Sequence, residues 1–297
     1  MINIILDTDI GSDCDDAGAL GLLHSLAYSG EACIVGILHS NLFEYGPAAI
    51  DVINKYYGRQ TEIGIYKGVP HSDRVLEDKF AEEVSKKFSL EPLKRSDCEE
   101  AAAYLKRKLG ALDGKCKLVC IGQLSNARNL LFSEGGAGLF VDKIEEVVIM
   151  GGLFRDNPDC GKYNDIDYWL CEHNICSALK DSREFIHNCP VKITFCDFIL
   201  GRDVKTLGHI TNQSEENPVA YCYNVYAGGS RESWDLLAVL YAVRGLGKTF
   251  NESEKGTVNV TPKGETVFKS EPQGLHSYLR LKLSERETEN FINNFFK

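Results

Sequence analysis

The chain is 297 residues long, 43% hydrophobic and 26% charged, with a formal net charge of -10 at pH 7. That length fits one large α/β domain or two small ones, and the composition is ordinary for a soluble globular enzyme. The acidic balance excludes a general nucleic-acid binder, which shows a basic face, and no apolar run approaches the roughly 18 residues that span a bilayer.

In chain order, short β-branched runs alternate with helical patterns. Strands are predicted at residues 3–7, 32–38, 62–66, 117–121, 145–150 and 192–195. Helical patterns fall at 47–57, 98–109, 178–186 and 233–243. The alternating run GTVNVTPKGETVF opens a region, 256–283, that reads as a late antiparallel hairpin, and SERETENFINNFFK reads as a closing amphipathic helix. This alternation predicts an α/β fold: an open, mostly parallel, Rossmann-like sheet flanked by helices. No repeat, low-complexity tract or linker interrupts it, so residues 1–297 are expected to form a single domain.

The most informative segment is DTDIGSDCDDAGAL, in which Asp7, Asp9, Asp13, Asp15 and Asp16 follow the apolar Ile4, Ile5 and Leu6. Carboxylates held this close raise one another's pKa, so the turn calls for a cation. Hard divalent ions, Ca²⁺ or Mg²⁺, suit carboxylate and carbonyl oxygens. Asp15 and Asp16 also stand at the start of a helix-forming run, where the macrodipole favours negative charge. The plainer alternative is a solvated acidic turn with good helix caps.

Ligands of open α/β sheets bind outside the carboxyl ends of the strands. That rule gathers Asp7 and Asp9 with His39, Ser40 and Asn41, the stretch 121–126, and Met150 to Gly152. Together these segments resemble the inosine–uridine-preferring nucleoside hydrolases. The opening motif is similar to the family's D-x-D-x-G-x-D-D-A signature in a longer form. Further matches follow in order at SNLFEYGPAAIDVINKYYGR, IGQLSN, VVIMGG, CEHN and SWDLLAVLYAV.

The resemblance implies hydrolysis of ribonucleosides with a bound Ca²⁺ held by Asp9, Asp16, the carbonyl of Ile121 and Asp235. Such an ion takes about 6–8 oxygens, which leaves room for a water and two substrate hydroxyls. It implies that Asp9 is the general base and that Asp15 bonds the ribose 2′-hydroxyl. Asn41, Glu172 and Asn174 match the residues that hold the 3′- and 5′-hydroxyls, and Asn164 a further 5′ contact. Asp7 is expected to be structural, bonding backbone amides, and Asp13 has no counterpart in the shorter signature.

One departure bears on specificity. The pyrimidine-accepting branch has a His before its late metal-binding Asp, whereas this chain reads Ser233-Trp234-Asp235. The Trp resembles the purine-preferring branch, in which an aromatic face stacks on the base; the alternative is a core Trp. Trp169 is a second aromatic candidate. His39, His173 and His276 are weighed as proton donors against packing roles, and Cys14 as a nucleophile against a small buried hydrophobe.

Two rivals remain: a non-catalytic nucleoside-binding relative, and a Mg²⁺-dependent phosphatase with an Asp nucleophile. The partner expected is a small ribonucleoside, with no nucleic acid and no membrane, and the family habit implies a homodimer or homotetramer. No C-x-x-C pair and no signal-peptide pattern occur, so the eleven cysteines are expected as reduced thiols in a cytoplasm.

Overall fold

The computed structural model describes residues 1–60, 62–70, 76–163 and 171–296. Its first strand, β1 (Ile2–Thr8), is an apolar run whose side chains alternate between two cores. Ile4 and Leu6 enter one layer of side chains and Ile5 the other. A strand covered by helices on both faces needs that near-continuous hydrophobicity.

The strands that follow are β2 (Ala32–His39), β3 (Ile63–Ile65), β4 (Glu99–Glu100), β5 (Cys116–Cys120), β6 (Ile144–Met150) and β7 (Lys192–Cys196). All pair in parallel, in the order β7-β6-β5-β1-β2-β3-β4. Asp7 on β1 is level with Leu38 on β2 and Cys120 on β5, so the carboxyl ends of the central strands share one edge.

A short antiparallel pair, β8 (Lys205–Thr206) with β9 (Arg231–Glu232), stands apart. The late strands are β10 (Phe250–Glu252), β11 (Gly256–Val260), β12 (Thr266–Ser270) and β13 (His276–Leu281). The expected hairpin is β11 with β12, while β13 is antiparallel to β10 and β11 and joins the main sheet parallel to β7. The fold is therefore the mixed, mostly parallel sheet expected.

Most of the named elements stand within a residue or two of expectation. The helical pattern at 98–109 is the clearest shift. Its helix is Ala101–Ala111, because Glu99 and Glu100 pair with β3 and the Glu100 side chain then caps the helix by accepting the N–H of Ala103. The closing helix runs Glu285–Asn293 and begins with a reciprocal capping box between Ser284 and Glu287. Among the described residues no helix is long and apolar enough to cross a membrane.

The cysteines need one correction. Nine are free thiols, but Cys171 and Cys176 form a disulfide, their Cα atoms 5.9 Å apart where the chain turns into the helix His173–Ser177.

Candidate active site

β1 ends at Thr8, and the chain turns through the acidic loop into the helix Asp15–Tyr28. Gly122, after β5, lies so close to that loop that a Cβ on it would stand 2.8 Å from the Asp9 nitrogen. The Asp16 carboxylate accepts the Thr8 hydroxyl and, at 3.2 Å, the backbone N–H of Asp9. Asp15 accepts the N–H of Asp235 at 3.2 Å, which ties it to the first turn of a second helix, Trp234–Arg244. Carboxylate oxygens of Asp15, Asp16 and Asp235 consequently lie within 4.8 Å of one another, all three residues buried.

Burial pushes all three carboxyls well above the usual range, and the neighbouring carboxylates push the same way. Asp9 is raised to about 7, first by burial and then by Glu172 and Asp13, and its Oδ2 has no hydrogen-bond partner among the described residues. Arg231, the cation beside Asp15, is already paired with Asp13 and Glu232. A buried, oxygen-only donor set with an orphaned carboxylate oxygen fits a hard dication. The tightest cluster includes Asp15 rather than Asp9, although Asp9 still acts on Asp16 and Asp235.

Of the site residues expected from sequence, Asp9, Asp15, Asp16, Ile121, Glu172, Asn174, Trp234 and Asp235 line one cavity of about 560 Å³. Glu172 caps the helix His173–Ser177, accepting the N–H groups of Gly152, Asn174 and Ile175 at 3.2, 2.9 and 3.1 Å. The Asn174 amide donates to the carbonyls of Ile121 and Met150 at 3.1 and 3.2 Å, so the ends of β5 and β6 are bound into one floor. Asn41 is buried but is not among the lining residues. Its amide donates to the Asp9 carbonyl at 2.9 Å and its oxygen accepts the Phe43 N–H, which makes it a brace for the acidic loop. Asn164 and Trp169 lie outside the described residues.

The other candidates resolve by burial. Asp7 is structural, but its partner is the Asn126 side-chain amide at 2.9 Å rather than the backbone amides expected, because β1 is paired on both sides there. Burial holds His39 neutral, with a pKa lowered to about 3, between the Ile10 carbonyl and Arg95. His276 is likewise lowered, to about 4, and accepts the Val258 N–H at 2.8 Å, away from the cavity. His173 is exposed and lines the cavity. Cys14 is fully buried and its thiol is pushed up by burial and by Asp13 and Asp15, which suits a small hydrophobe and not a nucleophile.

Sequence reasoning missed Phe198, Tyr226 and Arg231. Phe198 follows the carboxyl end of β7 and stacks on Trp234, ring centroids 5.5 Å apart and planes 21° apart, while the indole N–H donates to the Phe198 carbonyl at 2.8 Å. Both rings line the cavity, and so do Tyr226 and Arg231. The strand-end rule applied to β7 would have found Phe198. No motif marks the other two.

A model of the family described as inosine-uridine preferring nucleoside hydrolase matches residues 4–290. The chain belongs to that family. Solved structures share its fold over nearly the whole length. The inosine-uridine preferring nucleoside hydrolase from Bacillus anthracis has a TM-score of 0.74 at 16% identity, with 99% of each chain covered. The purine-preferring ribonucleoside hydrolase from Gardnerella vaginalis has a TM-score of 0.67 at 16% identity, covering 99% of this chain and 98% of that one. A plant nucleoside hydrolase has a TM-score of 0.70 at 16% identity, with coverage of 99% and 98%. No curated protein sequence matches the chain.

This nucleoside hydrolase is thus an N-glycosyl hydrolase acting on a nucleoside, in a metal-dependent family, and the aspartate cluster is where an ion can be held. The phosphatase alternative falls with that match.

Proposed function

We propose that the chain hydrolyses the N-glycosidic bond of ribonucleosides in a calcium-dependent reaction, releasing ribose and free base, and that it favours purines. The observation that carries this reading is that the buried carboxylates and a stacked Trp234–Phe198 pair share one cavity. Asp9, Asp16, Asp235 and the Ile121 carbonyl would hold Ca²⁺. When bound, such an ion lowers the pKa of a water and orients substrate hydroxyls.

Asp9, with its unpartnered oxygen, takes the proton of the attacking water. The water oxygen bonds to C1′ of an oxocarbenium-like sugar as the C1′–N bond breaks, and that electron pair leaves with the base, which gains a proton from solvent. Asp15 is assigned the ribose 2′-hydroxyl. Glu172 and Asn174 are assigned the 3′- and 5′-hydroxyls, with Asn41 acting behind them by bracing the Asp9 carbonyl and Asn164 at the 5′ side. Stacking on the aromatic pair is worth about 1–3 kcal/mol per base, and a purine offers the larger face.

The test is base release from inosine, guanosine, uridine and cytidine, with deoxyinosine beside them. Purine ribonucleosides are expected to lead, and deoxyinosine to be slower by as much as about 10⁴-fold, because a site that bonds a hydroxyl rejects its absence. Uridine matching inosine overturns the purine preference, and deoxyinosine matching inosine overturns the sugar placement. Binding without base release from any of them would leave a nucleoside-binding relative. For the whole chain we propose a single domain that assembles as a homodimer or homotetramer in the cytoplasm, with light scattering as the check on assembly.

A further inference from the structure

Asp13 is the carboxylate that the shorter family signature lacks. It accepts Arg231 Nε at 2.9 Å and Nη2 at 2.5 Å, and the Tyr226 hydroxyl at 3.2 Å. The remaining terminal nitrogen, Nη1, donates to Glu232 at 2.6 Å. The guanidinium carbon lies over the Trp234 ring at 5.1 Å from its centroid and over the Tyr226 ring at 5.5 Å. Asp13, Tyr226, Arg231 and Trp234 all line the cavity.

An Arg has five N–H groups, fixed in one plane. Three are taken by Asp13 and Glu232, which leaves one on each terminal nitrogen without an acceptor among the described residues. The side chain cannot swing freely, because two carboxylates hold it from different edges and two aromatic rings pack against it. The result is a donor-only fork held in place beside the aromatic pair assigned to the base.

We propose that Arg231 reads the base, donating its two remaining N–H groups to O6 and N7 of a 6-oxopurine, so that the preferred substrates are inosine and guanosine. This rests on the purine ribonucleoside reading above. O6 and N7 are adjacent acceptors, the pair that an Arg fork matches; adenine offers N7 but presents an amino donor at position 6. Uracil has no counterpart of N7. The same bonds aid departure: as C1′–N9 breaks, the electron pair spreads over the ring onto atoms already receiving hydrogen bonds, before the base takes its proton from solvent. Asp13 is a positioning residue, acting through Arg231.

The experiment is kcat/KM for inosine, guanosine and adenosine on the calcium-loaded full chain, for wild type, Arg231→Met and Asp13→Asn. The readout is the inosine-to-adenosine ratio, which does not depend on how much of each variant is active. Wild type is expected to favour inosine and guanosine over adenosine by about tenfold or more, and Arg231→Met to cut that ratio by about tenfold, the scale of one bidentate pair. Asp13→Asn is expected to cut it by less.

An unchanged ratio in Arg231→Met, or adenosine preferred by wild type, overturns the assignment. Uridine leading all purines overturns instead the purine reading on which it rests. Should no nucleoside be turned over, calorimetry with hypoxanthine and adenine decides: tighter hypoxanthine binding, lost in Arg231→Met, supports the fork, and equal binding removes it.

Discussion

Asp16 is the residue on which the acidic cluster turns, since its carboxylate reaches Thr8 and the Asp9 backbone while facing Asp15 and Asp235. Asp16→Ala should sharply lower both calcium content, read by atomic absorption, and turnover; a variant with wild-type rate on inosine would remove Asp16 from the ion's ligands. Asp9→Asn should lower kcat much more than it raises KM, because it removes the proposed base and keeps the partners proposed for the sugar. A change confined to KM would assign Asp9 to binding alone. Trp234→Ala should erode the purine-to-pyrimidine ratio by about 1–3 kcal/mol, measured as kcat/KM for inosine against uridine. An unmoved ratio would make Trp234 a core residue held by Phe198.

At the scale of elements, the helix Asp15–Tyr28 carries two of the buried carboxylates, so its seating positions the site. Gly18 lets it approach its neighbours: a Cβ there would stand 2.4 Å from the Tyr223 hydroxyl and 3.0 Å from Leu236. Gly18→Ala should therefore destabilise by about 1–3 kcal/mol in urea unfolding, the usual cost of overpacking. No loss would mean that the Tyr223 ring gives way freely.

The same elements show what a sequence alone conveys. The central strands and the helix starting at Asp15 are marked by apolar runs and by an acidic turn, signals that survive without any tertiary contact. The pair Glu99–Glu100 is too short for any periodicity, and only its partnership with β3 makes it a strand. Asn41 shows the limit for side chains: its place after β2 puts it near the site, but whether it faces sugar or braces the Asp9 carbonyl depends on a hydrogen bond 32 residues away in sequence. Arg231 and Tyr226 escape notice for the same reason, because Asp13, their shared partner, is more than 200 residues distant.

Across the whole molecule, the charge at the other end of the sheet works in the opposite sense to the carboxylates of the site. Burial would raise the Glu146 carboxyl, but Lys117, the Thr194 hydroxyl and Lys192 outweigh it and lower it to about 2 from 4.5. Lys117 and Lys192 lie 2.9 and 3.1 Å from its oxygens, and Thr194 and Tyr241 donate at 2.7 and 2.9 Å. A depressed folded pKa contributes stability that is present above 4.5 and lost as pH falls toward 2. Glu146→Gln should cost about 1–3 kcal/mol at pH 7 and progressively less as pH falls through that window, read from urea midpoints. A cost independent of pH would show that packing, not charge, is what Glu146 supplies.

The proposed ion is the other whole-molecule variable, because the buried aspartates raise one another's pKa. The most direct measurement is hypoxanthine release from inosine by protein stripped of metal with chelator and then titrated with Ca²⁺. Turnover should vanish on stripping and return as about one equivalent is added, with the melting temperature rising in step. Full turnover in excess chelator, with no change in melting temperature, would contradict a calcium-dependent hydrolase.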